Sequence, residues 1–213
     1  MVTNNILFEY LKNSEAQHLK GLSKIKTIYR PYICPFDDLL NGIPQGISLF
    51  DIGCGAGSFL SLLSNFNKPI KIGGIEIADN LIDDARSLLS KFDIEQHIYK
   101  YDGTVIPEEI KEYDYVSMID VYHHIPPSIQ YSFMKQLFEK MKPGAMLIFK
   151  DINNANPLVV MNKLHDLVLS KEIGNEISVK TAKKMLEGIG FQLSSITKKT
   201  MLFYPHYTII ARK

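Results

Sequence analysis

The residues best placed to do chemistry lie in one short run, Leu49-Phe50-Asp51-Ile52-Gly53-Cys54-Gly55-Ala56-Gly57. An apolar stretch ends there in three glycines within five positions, which demands a tightly bent backbone that approaches something closely. At a helix start such a turn leaves backbone N–H groups unpaired, and these favour a pyrophosphate or a carboxylate. The chemistry is the binding of a nucleotide-like cofactor. Two features narrow it. The dinucleotide fingerprint runs G-x-G-x-x-G, whereas here the spacing is G-x-G-x-G with Ser58 next, which weakens a nicotinamide reading. Asp51, at the end of the apolar stretch, would repel a phosphate-rich ligand and attract an amino group.

These residues need a sheet to hold them. From Ile47 onward short apolar runs alternate with helical-period segments, the signature of a parallel sheet covered by helices. The pattern predicts strands at 47–51, 71–76, 96–101, 114–120, 145–150, 191–198 and 205–212. Helices are predicted at 57–66, 79–91, 128–141, 157–170 and 180–189. Too few residues separate the last two strands for a helical crossover, so they should form an antiparallel hairpin. Residues 1–45 have no place in the sheet and read as a helical N-terminal cap on a domain spanning 46–213. In the cap Ile6, Leu7, Tyr10 and Leu11 recur at helical spacing, whereas Pro31 and Pro35 predict an extended loop across Tyr29–Phe36.

The run D-I-G-C-G-A-G resembles the first motif of class I S-adenosylmethionine-dependent methyltransferases, D-x-G-x-G-x-G, and matches it at every fixed position. The resemblance implies an α/β fold with a doubly wound, seven-stranded, Rossmann-like sheet whose last strand is antiparallel. It also implies S-adenosylmethionine as cofactor, its methionine part wrapped by Asp51, Gly53, Cys54, Gly55 and Gly57. The family's ribose-binding acid falls on Glu76, nineteen residues after Gly57 and followed by Ile77. Its adenine-contacting acid falls on Asp102, followed by Gly103. The segment beside the transferred methyl falls on Asp120-Val121-Tyr122-His123-His124, which is similar to the D-x-L-H-H ending of many small-molecule methyltransferases. Met141-Lys142-Pro143-Gly144 resembles the family's L-K-P-G-G turn. Five such landmarks stand in the family's order.

Methyl transfer from a sulfonium is an in-line displacement, so the acceptor must be held opposite the sulfur and a hydroxyl acceptor must lose a proton. His123 and His124, at the end of the fourth strand, and Asp151, at the end of the fifth, are the candidate catalytic residues. Tyr29, Arg30, Tyr32 and Tyr122 are candidates for an aromatic-lined acceptor site, with the cap closing as a lid. His165 joins them on a helix expected to start at Asn156-Pro157, at the edge of a stripe of Met161, Leu164 and Val168. His18, His97 and His206 read as surface or structural. Cys54 reads as a small residue that fits its turn.

Composition bounds the remaining choices. The 213 residues carry 24 basic and 23 acidic side chains, a net charge of +1, which supplies no bulk field toward nucleic acid. The strand-end segment also lacks the N-P-P-Y type of nucleobase amino-group methyltransferases, so DNA is not expected as a partner. Cys34 and Cys54 cannot make a disulfide framework, and no apolar run approaches the ~20 residues of a membrane span. No secretory signal is visible, and the expectation is a cytoplasmic protein. No metal-ligand motif appears. The expected function is methylation of a small molecule at oxygen. The alternatives are a nicotinamide oxidoreductase or a cofactor-binding partner without turnover.

Overall fold

The apolar stretch that enters the glycine turn forms β1, Ser48–Ile52, buried at all five positions as befits a strand covered on both faces. The computed structural model describes residues 1–15, 21–159 and 174–213. The strands follow in sheet order β3-β2-β1-β4-β5-β7-β6, with β2 at Lys71–Glu76, β3 at Glu95–Lys100, β4 at Tyr115–Ile119, β5 at Met146–Ile152, β6 at Gln192–Met201 and β7 at Tyr204–Arg212. Two compact units share them, Met1–Val105 and Ile106–Lys213.

In the first unit β2 pairs in parallel with both β1 and β3. The cap contributes α1, Asn4–Tyr10, α2, Gly21–Ile33, and α3, Phe36–Gly42. Helix α4, Ser58–Phe66, follows the glycine turn and buries Phe59, Leu60, Leu62 and Leu63; α5, Asp79–Leu89, follows β2. In the second unit β4 and β5 are parallel, and β7 runs antiparallel to both β5 and β6, giving the expected terminal hairpin. Helix α6, Pro127–Lys140, precedes β5, and α7, Val179–Ile189, precedes β6. Ser178 caps α7, its Oγ accepting from Thr181 N at 3.1 Å.

The cap corrects one expectation. Tyr29–Ile33 is the last part of helix α2, with Pro31 inside it, not an extended loop. An interior proline forfeits the bond to the carbonyl four residues earlier at a cost of about 3 kcal/mol. Burial of Thr27, Pro31 and Cys34 along one face offsets that cost, and Cys34 N still closes on Arg30 O at 2.8 Å. The same geometry sets Tyr29 and Tyr32 against α1. Their rings stand 5.4 and 5.2 Å from Phe8 of α1, and Tyr32 Oη donates to Asn5 Oδ1. Tyr29 stays 52% exposed. Thr27 instead faces the glycine turn, its Oγ1 accepting from Ser58 Oγ at 3.3 Å, and Arg30 lies one turn along that face. At the expected helix start Leu158 N donates to Asn156 Oδ1 at 3.0 Å; residues 160–170 of the predicted helix at 157–170, His165 among them, lie outside the described residues, as does His18.

Gly57 sets the angle at which α4 leaves the sheet. Its φ is +80°, and a Cβ there would stand 3.1 Å from both Cα and Cβ of Ala85 on α5. Gly57→Ala should lower stability by about 1–3 kcal/mol through left-handed strain and overpacking. Urea unfolding followed by circular dichroism would read this.

Candidate functional site

In the first unit the glycine turn is fastened to the end of β2. The N–H groups of Gly53 and Cys54 both donate to Ile75 O, at 2.8 and 3.0 Å. The next residue, Glu76, reaches back: its Oε2 accepts from Gly55 N at 3.0 Å, and its Oε1 accepts from Ile77 N at 2.8 Å and Ala78 N at 3.1 Å. Tyr101 N donates to Glu76 O at 2.8 Å and so carries the sheet pairing past β3 to Asp102. Three segments far apart in sequence thus present their acids at the carboxyl ends of parallel strands, where open α/β sheets bind ligands.

Each acid has its own setting. Asp51 is buried in β1. Asp102 is exposed and accepts at Oδ1 from the N and Oγ1 of Thr104, at 2.8 and 2.7 Å; these bonds hold its carboxyl below the usual carboxylate range. Gly103 follows it at φ +87°. Cys54 is buried beneath the turn. Burial, then the charges of Asp51 and Glu76, push its thiol well up, so it stays a protonated packing group. Gly74 makes room for it, since a Cβ there would lie 3.0 Å from Cys54 Sγ and 3.2 Å from Asp51 O. Ile77 leaves an apolar side chain 65% exposed beside Glu76.

The second unit groups polar side chains at the ends of β4 and β5. Asp120 takes a left-handed φ of +56°, donates its N–H to Lys150 O at 2.9 Å and accepts from Lys150 Nζ at 2.5 Å. Lys150 is fully buried, so this pairing is what lets a cation stand inside the sheet. Val121 leads into a helical turn, Tyr122–His124. His123 Nδ1 lies 2.6 Å from Asp151 Oδ1, and His123 N donates to Asp151 Oδ2 at 3.1 Å; both side chains are buried. The ring of exposed His124 sits 4.1 Å from that of His123, centroid to centroid. Asn175 N donates to His123 O at 2.7 Å, and Gln130 Nε2 donates to Tyr122 O and Ile125 O.

Of the sequence candidates, His123 and Asp151 are brought together as a pair, with His124 against them. Tyr122 is buried, edge-on to Phe149, and its hydroxyl donates to Met185 Sδ at 3.0 Å. Burial, then the charge of Asp151, raise its phenol to about 12. Among the histidines read as structural, His97 is half-buried beside Glu95 and Tyr99, while His206 is buried and stacked on Tyr204. Sequence reasoning passed over Lys150 and Tyr207. A lone lysine closing the apolar run Ala145–Phe149 was the available signal, because a buried cation requires an acid. Tyr207 gave none, as a tyrosine in a strand is ordinary.

The chain matches the methyltransferase domain over residues 28–196, which takes in the glycine turn, Glu76, Asp102 and the β4–β5 ends. It belongs to the class I S-adenosylmethionine-dependent methyltransferases. The methyltransferase is 26% identical over 117 residues to tRNA N(3)-methylcytidine methyltransferase Mettl2 of Drosophila melanogaster, covering 52% of this chain and 36% of that protein. It is 24% identical over 170 residues to carboxy-S-adenosyl-L-methionine synthase of Campylobacter jejuni subsp. doylei, covering 78% of this chain and 66% of that protein. It thus spans about a third of the first relative and just under two thirds of the second. Its fold is that of a SAM-dependent methyltransferase from Aquifex aeolicus, with a TM-score of 0.67 at 20% identity over 91% of this chain and 99% of that one. The nicotinamide alternative falls with this membership.

The residues present in the methyltransferase fit the family's cofactor. A vicinal diol needs a carboxylate with unused lone pairs, and of the roughly four on Glu76 three are taken by backbone N–H groups. The bond from Gly55 is the one a diol would share. Glu76→Gln should therefore weaken S-adenosylhomocysteine binding by about 1.5–3 kcal/mol, the worth of hydrogen bonds to a charged group. Titration calorimetry on the folded variant checks this, and an unchanged dissociation constant would make Glu76 a fastening for the turn alone.

Proposed function

We propose that this chain transfers the methyl group of S-adenosylmethionine to an oxygen of a small-molecule acceptor. When bound, the cofactor supplies an electrophilic methyl on a cationic sulfur. Gly53, Gly55 and Gly57 let the backbone close around its methionine part, and Asp51 offers the negative charge its amino group needs. Glu76 receives the ribose hydroxyls, exposed Ile77 covers an adenine face, and Asp102 with Gly103 receives the adenine amino group.

The observation that carries the oxygen reading is the buried Asp151–His123 pair with exposed His124 against it. A carboxylate only accepts, so His123 Nδ1 carries the proton it shares with Asp151 and the ring is fixed in one orientation. His124, packed on that fixed ring, takes the acceptor's hydroxyl proton; His123 and Asp151 are positioning residues. Asp120 and Val121 shape the same strand end, Asp120 through its bond to Lys150. In the first unit we read the α2 face bearing Thr27 and Arg30 as a lid on the glycine turn. Protection from amide exchange across residues 25–36 should rise on adding S-adenosylhomocysteine, and no change there would end the lid reading.

The test is turnover with methyl-labelled S-adenosylmethionine against phenols, catechols and aliphatic alcohols, with total tRNA as a separate arm because one relative's name specifies tRNA. Balanced charge favours the small molecules. Label in tRNA alone would overturn the reading, and binding without label in any arm would favour a non-catalytic partner. On the best acceptor His124→Ala should lower kcat by about 10²–10⁴ and remove the acidic limb of the pH–rate profile. Asp151→Ala should cost about 3–5 kcal/mol of stability by leaving its buried partners unpaired.

A further inference from the structure

The hairpin joining β6 to β7 has a two-residue tip, Leu202-Phe203, between Met201 and Tyr204. Loops this short call for Asn-Gly or Gly-X, because one or both positions take positive φ. Here Leu202 holds φ at +52°, a conformation costly for a branched side chain. The strain gains no burial: Leu202 is 66% and Phe203 45% exposed. Two large apolar side chains are displayed where the backbone would be better served by a glycine at the first position.

The hairpin points where an acceptor would arrive. β7 runs antiparallel to β5 with Ile152 opposite His206 and Asp151 opposite Tyr207, and Asn153 N donates to Pro205 O at 2.7 Å. The tip therefore extends past the carboxyl end of β5, the end at which Asp151 holds His123. A row of rings leads inward from it. Phe203 lies 5.9 Å from Tyr204, and Tyr204 stacks on His206 at 6.1 Å, the latter two both buried. Tyr207, next along the strand, faces the other side of the sheet with Asp151 opposite it; it is fully buried, and its hydroxyl meets no hydrogen-bond partner among the described residues.

We propose that Leu202 and Phe203 are specificity-determining residues that hold the flat apolar body of an aromatic acceptor at this end of the sheet. The inference rests on the methyl-transfer reading above and adds the acceptor's class. Offset and edge-to-face ring contacts give Phe203 a preference for an aromatic body, and Leu202 adds apolar area on the same tip. The strain at Leu202 belongs with other costly backbone conformations held at ligand sites.

The probe is 2-naphthol, which carries a phenolic hydroxyl on a flat apolar body and reports by its own fluorescence. It is titrated into the full chain at saturating S-adenosylhomocysteine, whose binding is measured separately by calorimetry. The wild type should bind it saturably, and Leu202→Gly/Phe203→Asn should weaken it by about tenfold, the scale of an aromatic contact. The double variant should keep its S-adenosylhomocysteine affinity within about twofold, the sites being separate. Its Tm should be equal or higher, since glycine suits the left-handed first position of the turn. Should it fail to fold, Phe203→Ala keeps the native turn residue and should still weaken the probe. Unchanged naphthol affinity in a folded variant, or no saturable binding to the wild type, would overturn the proposal. Failure of S-adenosylhomocysteine to bind while naphthol binds in a tip-dependent way would sink the methyl-transfer reading and leave the tip site standing.

Discussion

The bond from Gly55 N to Glu76 Oε2 is the constraint on which the cofactor site depends. A glycine-rich turn gains freedom to approach a ligand and loses the means to hold its own shape. Glu76 restores that shape from outside the turn. One carboxylate gathers Gly55, Ile77 and Ala78, while Ile75 O gathers Gly53 and Cys54, so five N–H groups are organised by two consecutive residues at the end of β2. Parallel pairing makes this arrangement available, because it brings the carboxyl ends of β1, β2 and β3 to one edge. The close approach of Cys54 to Gly74 then fixes the turn's height above the strand.

The second unit meets a different constraint, the cost of polar groups inside a sheet. Lys150 and Asp151 are adjacent on β5 and so face opposite sides of it. Each finds a partner from the end of β4 or the turn after it, Asp120 for the lysine and His123 for the aspartate. The strain of a left-handed Asp120 is what brings its carboxylate to Lys150, and aspartate is among the few residues that tolerate that conformation. A buried charge is retained here only where the fold supplies its partner.

Much of this was legible in the sequence, for identifiable reasons. Strands such as Ser48–Ile52 and Lys71–Glu76 were readable because a sheet buried on both faces needs continuous apolar runs, and the terminal hairpin because no helix fits in so short a link. Glu76 and Asp102 were singled out as the acids at the ends of the second and third strands, where the family resemblance puts cofactor contacts. The cap was misread across Tyr29–Ile33 because proline propensity is local, whereas burial of Thr27, Pro31 and Cys34 is tertiary. Tyr29 and Tyr32 were expected to turn inward as part of a lid, and the helix phase sets them against Phe8. The pairing of His123 with Asp151 joins residues 28 apart in sequence, on neighbouring strand ends, which no local pattern encodes. The bond of the Tyr122 hydroxyl to Met185 was not readable either, because a strand-end position does not reveal which way a side chain turns.

Under the proposed function one carboxylate both fastens the glycine turn and receives the cofactor's ribose. The decisive measurement is a crystal structure of the full chain with S-adenosylhomocysteine. Both ribose hydroxyls should lie within about 3 Å of the Glu76 carboxylate, with the Ile77 and Ala78 N–H bonds retained. A cofactor bound with its ribose elsewhere, or Glu76 turned to solvent while the glycine turn keeps its shape, would contradict it.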